Sequence, residues 1–289
     1  NGDIIDLLVE EALAAGHTSA IWHSRTRPAW GAVEAALRGA ALSSIADAPL
    51  YLVHMNVAGE VDMLEYARHA GLKVMGETCP QYLFFSEADL ERDDAAKWIC
   101  SPPLRTVDDQ ERLWKGLKSQ TIQVIATDHC PFFFDGTKRI MYEGASVAIP
   151  GKELGGKDFT RIPNGLPGVG DRLPVLWTAM VMSGKFSVNE FVALTSTNPA
   201  RIFGLYPRKG ELAPAADADI VIWDPDKRVK YGTAYAQHRT DYNLYEGWEL
   251  TGFPARVISR GRTVVENGAW FGSAGDGHFL RREPFGELN

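Results

Sequence analysis

Two residues stand where a chain of parallel strands and helices places its chemistry. His54 closes the apolar run Leu50-Tyr51-Leu52-Val53, and Asp128 closes Val124-Ile125-Ala126-Thr127. In parallel α/β folds the residues just past the carboxyl ends of strands face the ligand crevice. An imidazole nitrogen and a carboxylate oxygen aimed at one mouth are donors that zinc accepts, and the carboxylate can also act as a general base. Each has a plainer reading: a strand-ending His is often a hydrogen-bonded core or surface group, and Asp128 could be an N-cap on the following segment. His23, after Ala20-Ile21-Trp22, reads as another strand end, yet with Arg25 and Arg27 it suits a polar rim equally. His129 adjoins Asp128 and could support it, although neighbours on a strand point to opposite faces. The run Gly165-Leu166-Pro167-Gly168-Val169-Gly170 lacks the ending of a phosphate cradle, and Pro163 and Pro167 suit a rigid turn. No nucleophile-elbow motif and no cysteine with a nearby base motif is present.

The elements that must hold these residues alternate. Ile4, Leu7, Leu8, Glu11, Ala12 and Ala15 repeat at helical spacing after Asp3, a plausible N-cap, and stop at Gly16. Further helical patterns cover about 32–46, 61–70 and 106–119, with strands expected at 50–53, 73–77 and 123–127. Short apolar strands separated by helices predict a parallel sheet covered on both faces. Between Cys130 and Asn164 lies a long connection rich in Gly, Lys and aromatics, read as a lid or substrate-facing loop. After helices near 171–183 and 188–195 the character changes at Pro207, and strands are expected at 220–223, 255–259 and 262–266. The expected division is therefore 1–206 and a β-rich 207–289.

Composition bounds the function. With 289 residues and 45% hydrophobic content the chain can bury a large core, so disordered and collagen-like classes are excluded. No apolar run is long enough to span a membrane, and no secretory signal is evident. A net charge of -7 without a Lys/Arg block argues against nucleic acid as a partner. Three cysteines, Cys79, Cys100 and Cys130, without a close pair fit a reduced, cytoplasmic setting, and are expected to be small buried residues. Because numbering opens at Asn1, we read the chain as processed or as part of something longer.

Five strings in order carry a resemblance: GETCPQYLFF (Gly76 to Phe85), SPPLR (Ser101 to Arg105), ATDHCPF (Ala126 to Phe132), IPNGLPGV (Ile162 to Val169) and NPARIFGLYPRKG (Asn198 to Gly210). Together the chain resembles the dihydropyrimidinase and hydantoinase branch of the amidohydrolase superfamily over essentially its whole length. The resemblance implies an α/β fold, a (β/α)8 TIM-type barrel, with part of a small β-sandwich. It implies opening of cyclic amides, dihydropyrimidines or 5-substituted hydantoins, to N-carbamoyl amino acids. The implied cofactors are two divalent metal ions, zinc as the usual one, joined by a carboxylated lysine and a hydroxide whose pKa the metals lower. His54 then matches a metal-ligating histidine, and Asp128 the carboxylate that binds metal and moves the proton. Ser101 and Asn164 match positions whose main chain holds the imide ring. A homotetramer is implied as well.

Departures are also visible. The family's paired histidines, its carboxylated lysine, an oxyanion-donating tyrosine and one further histidine would all precede Asn1. Only His54 and Asp128 of the protein ligands remain, the first barrel and sandwich strands are expected outside the chain, and the 289 residues alone are expected to be inactive. The segment between Asp128 and Asn164 is longer than such a connection needs, and Gly170 stands where an acid is common. An allantoinase or dihydroorotase type of substrate, or a non-catalytic assembly protein of dihydropyrimidinase type, are the rival readings.

Overall fold

The computed structural model describes residues 1–285. The chain forms two compact units, the first comprising residues 1–172 and 231–247, the second residues 173–230 and 248 onward.

In the first unit, α1 (Gly2–Ala14) starts from Asn1, with Asp3 inside its first turn rather than at the cap. It ends at Gly16, whose φ of +78° lets His17 N–H reach back to the Ala12 carbonyl at 2.9 Å. The segment around His23, expected as a strand end, is the short helix α2 (Ile21–Arg25). A three-residue apolar run cannot distinguish the two states by itself. Next come α3 (Ala29–Ala46), β1 (Leu50–Leu52), α4 (Ala58–His69), β2 (Val74–Thr78), α5 (Pro80–Phe84), α6 (Val107–Lys118) and β3 (Val124–Ile125). Helix α6 begins where it must: Thr106 Oγ1 accepts from Asp109 N–H at 3.2 Å, and Asp109 Oδ2 accepts from Thr106 N–H at 3.1 Å.

The three strands are parallel in the order β1-β2-β3, with Leu52 beside Gly76 and Thr78 beside Ile125. Leu64, Leu113, Ile122 and Ile125, all 0% exposed, belong to the core of this unit. Gly76 admits no side chain, because a Cβ there would strike the Met55 sulfur and lie 2.7 Å from Leu64 Cδ2. Within the long connection, β4 (Arg139–Tyr142) and β5 (Ala145–Ala148) form an exposed antiparallel hairpin. Its turn residues Glu143 and Gly144 have φ of 48° and 80°, the pattern of a two-residue hairpin turn.

In the second unit, α7 (Arg172–Leu176) and α8 (Val188–Val192) each widen into a π-helical stretch, and α9 (Asn198–Ile202) follows. The antiparallel sheet β6 (Ile220–Lys230), β7 (Glu249–Ser259), β8 (Arg262–Glu266) and β9 (Ala269–Trp270) completes it. Strands β6 and β7 run longer than expected, because bulges at Ile222/Trp223 and Asp224/Arg228 let pairing continue past Pro225. Contacts group the chain differently from the 206/207 division. Thr178 Oγ1 donates to the Thr251 carbonyl and accepts from its N–H, both at 3.0 Å, and Trp177 packs on Trp223 at 4.9 Å, so these helices join the strands. Residues 231–247 join the first unit, where Tyr231 and Asn243 donate to the buried Asp171 carboxylate at 2.8 and 3.0 Å. Among the described residues no helix is long and apolar enough to cross a membrane.

Candidate active site

His54 and Asp128 lie just beyond the carboxyl ends of β1 and β3, and both take positive φ, 43° and 48°. Such values are uncommon for residues with a Cβ and recur at functional sites. The intervening strand β2 ends at Glu77-Thr78, so Glu77 sits between the two. Tyr51 hydroxyl donates to Glu77 Oε2 at 2.6 Å, and His54 N–H reaches Oε1 at 3.4 Å. Burial pushes the Glu77 carboxyl above its ordinary range; these two hydrogen bonds and the His54 charge oppose this, and the Asp128 charge adds to it. One carboxyl thus senses both residues, as it would with all three at the same end of the sheet. His54 is half-buried and Asp128 exposed.

Ser101 belongs to a loop whose carbonyls are almost all occupied. Ile99 O accepts from Lys152 Nζ at 2.7 Å and from Gly165 N–H at 3.2 Å, and Cys100 O bonds His23 Nε2 at 2.8 Å. Beyond Ser101, Pro102 O accepts from Tyr82 hydroxyl at 2.9 Å, Pro103 O from Asn56 Nδ2 at 2.6 Å and Leu104 O from Ser24 Oγ at 3.2 Å. The Ser101 N–H and carbonyl have no hydrogen-bond partner among the described residues; its hydroxyl lies 3.4 Å from His23 Nε2. The Asn164 N–H and carbonyl are likewise without a partner among the described residues. Asn164 is brought to Ser101 by the Gly165–Ile99 bond, and to the Asp128 turn by the Cys130 N–H to Leu166 carbonyl bond at 3.0 Å. Gly165 must be glycine: at φ 149° a Cβ would lie 2.8 Å from Cys130 Cβ and 2.9 Å from its sulfur.

The structure therefore links the Ser101 and Asn164 loops through Ile99 and Gly165, links the Asn164 loop to the Asp128 turn, and places His54 two strands away at the same edge. Other expectations are altered. His129 supports the site through the turn opposite it: Nδ1 accepts from Gly168 N–H at 3.0 Å and Val169 N–H at 3.2 Å. That needs a neutral ring with its proton on Nε2, which the lowered pKa supplies, through burial first and His238 second. Buried His23 is held neutral, with burial and then Arg27 pulling its pKa down to about 3. Cys79 and Cys100 are buried as expected, whereas Cys130 is exposed, because it sits on the turn leaving the site. Glu77 and Lys152 are not singled out by the sequence patterns; for Glu77 a signal exists, since it ends the strand between two expected ligand strands.

An imidazole and a carboxylate at neighbouring strand ends fit a divalent metal in donor type. Among the described residues, however, no three His, Cys, Asp or Glu side chains gather into a metal-holding group. The pair would be part of a coordination set.

Residues 53–264 match the model of the amidohydrolase family. A D-hydantoinase of Streptomyces coelicolor is 43% identical over 98% of this chain and 58% of its own length. A D-hydantoinase of Geobacillus stearothermophilus is 41% identical over 100% of this chain and 59% of its own length. Among solved structures, the dihydropyrimidinase of Brevibacillus agri superposes with a TM-score of 0.92 at 42% identity, over 100% of this chain and 60% of that one. The chain belongs to the amidohydrolase family, in the branch of the hydantoinases and dihydropyrimidinases, and its fold is of the α/β TIM-barrel type. It spans less than two thirds of the length of these relatives.

Proposed function

We propose that this chain is the part of a cyclic amidohydrolase that opens dihydropyrimidine or 5-substituted hydantoin rings to N-carbamoyl amino acids. The observation that carries the reading is the pair of main-chain positions without a partner among the described residues, Ser101, whose neighbouring loop carbonyls are bonded, and Asn164, beside the turn that bears Asp128. An imide edge presents one N–H flanked by carbonyls, and fixed backbone donors and acceptors complement it without rotamer cost. The names of the relatives, D-hydantoinase and dihydropyrimidinase, point to the same substrates.

In this reading His54 and Asp128 hold divalent metal, zinc by preference, with the remaining ligands, a carboxylated lysine among them, supplied from outside these 289 residues. Two such ions, when bound, supply Lewis-acid activation of a ring carbonyl and of the attacking water. Asp128 takes the proton from that water and returns it to the departing ring nitrogen. Ser101 and Asn164 hold the imide edge so that the scissile carbonyl faces Asp128. Residues up to 206 would be barrel, the strands after 207 part of a β-sandwich, and the assembly a homotetramer in the cytoplasm.

The test is to assay the full-length, metal-loaded protein on hydantoin, 5-phenylhydantoin, dihydrouracil, allantoin and dihydroorotate. Opening of the first three in preference to the last two is expected. A metal-loaded protein that opens none of them defeats the proposal.

A further inference from the structure

Lys152 is buried completely, 0% exposed, in the connection between Cys130 and Asn164. Among the described residues no carboxylate lies within ion-pair distance of it, and its only side-chain hydrogen bond is to the Ile99 carbonyl at 2.7 Å. Burying an amine with one partner is costly, and a methionine would fill the same volume at less cost. What lysine adds is the directed N–H at one carbonyl. That carbonyl also accepts from Gly165 N–H at 3.2 Å, so its two lone pairs join two loops. Ile99 is two residues before Ser101, and Gly165 directly follows Asn164.

The backbone behind the amine has little freedom. Lys152 N–H donates to the Phe133 carbonyl at 2.9 Å and Glu153 N–H to the Phe134 carbonyl at 3.1 Å. Phe134 and Asp135 N–H groups in turn donate to the Asp241 carboxylate at 2.7 and 2.9 Å. A Cβ on Gly151 would fall 2.6 Å from the Asp135 carbonyl carbon, so even a methyl group is refused beside Lys152. The amine is thus a fixed strut from the third segment around the site to the junction of the other two.

We infer that Lys152 is a positioning residue that sets the separation of the Ser101 and Asn164 main-chain groups, and thereby the affinity for the imide edge of the ring. This rests on the proposed substrate class. A displacement of a positioning group by a fraction of an ångström weakens binding and alignment together, but a change confined to ring recognition falls mainly on KM.

The full-length, metal-loaded protein is compared with Lys152→Met and Lys152→Arg. For Lys152→Met, KM for hydantoin should rise about tenfold or more with kcat within about threefold and metal content unchanged. Amide exchange should quicken at Ile99 and Gly165, whose N–H groups are held by the Ala96 and Ile99 carbonyls, and not across the rest of the unit. Lys152→Arg keeps a donor and should recover part of the KM; if Lys152→Met does not fold, the arginine variant carries the comparison, with a smaller KM rise and the same local exchange. An unchanged KM, or exchange that quickens uniformly with a lower Tm, overturns the inference in favour of a purely structural lysine. If the unmodified protein opens no cyclic amide, the substrate reading fails by itself. The exchange pattern then still decides: quickening at both loops keeps Lys152 as their tether, and its absence removes it.

Discussion

The Tyr51 hydroxyl donates to Glu77 Oε2 at 2.6 Å, joining β1 to β2 three residues before His54. The bond satisfies a half-buried carboxyl that burial already pushes toward its neutral form. Tyr51→Phe removes the donor and leaves that oxygen with no side-chain partner among the described residues. A stability loss of about 1–2 kcal/mol is expected, read as a lower urea midpoint at constant slope. A midpoint equal to that of the unmodified protein would show the bond to be dispensable.

Asp128→Asn keeps an oxygen for a metal but cannot take a proton. In the full-length protein turnover should fall by on the order of 100-fold or more, while metal content falls much less. The two are separated by assaying hydantoin opening and measuring zinc per chain on one preparation; near-normal turnover rules out the base role.

The exposed β4–β5 hairpin carries Met141 and Tyr142, 69% and 61% exposed. This is apolar surface of the kind that contacts a ring substituent. Replacing residues 139–148 by a short Gly-Ser turn should change the preference between 5-phenylhydantoin and unsubstituted hydantoin, leaving Lys152 and Gly151 in place. An unchanged preference with an altered oligomeric state would assign the hairpin to packing between subunits.

Burial pushes the Lys152 amine down to about 7 from its ordinary 10.5, with Cys100 and Cys130 opposing. The folded pKa lies below the unfolded one, so between these values the unfolded chain binds the extra proton. Stability from this group therefore rises with pH from about 7 to 10.5, with a slope of at most about 1.4 kcal/mol per pH unit, and is flat below and above. Unfolding free energies of the unmodified protein and Lys152→Met, compared from about pH 6.5 to 9.5, should converge on or cross in favour of lysine as pH rises. A pH-independent difference would place the amine in a more polar setting.

Residues 1–289 purified alone should open no cyclic amide and bind little zinc. Catalytic zinc sites commonly use three protein ligands, and the described residues gather no such group. Zinc content and dihydrouracil hydrolysis of the purified segment check this, and a metal-loaded, active segment would displace the ligand assignment.

Local chemistry makes several elements legible in the chain itself. Helix α6, expected at 106–119, lies at Val107–Lys118, because its start is written in Thr106 and Asp109, three residues apart. His54 and Asp128 stand out because an apolar run that stops at a polar residue marks a strand end. The short run before His23 misleads for the same reason, since a few apolar residues suit a buried helix equally. Lys152 and Glu77 acquire their roles from partners 53 and 26 positions away, Ile99 and Tyr51, and no spacing rule reaches that far. Residue order is enough to say which residue types end the strands and, through five ordered strings, which family the chain belongs to. That Ser101 and Asn164 keep main-chain groups without a partner among the described residues is decided only once the chain is folded, because hydrogen-bond satisfaction depends on what the fold packs around each carbonyl and N–H.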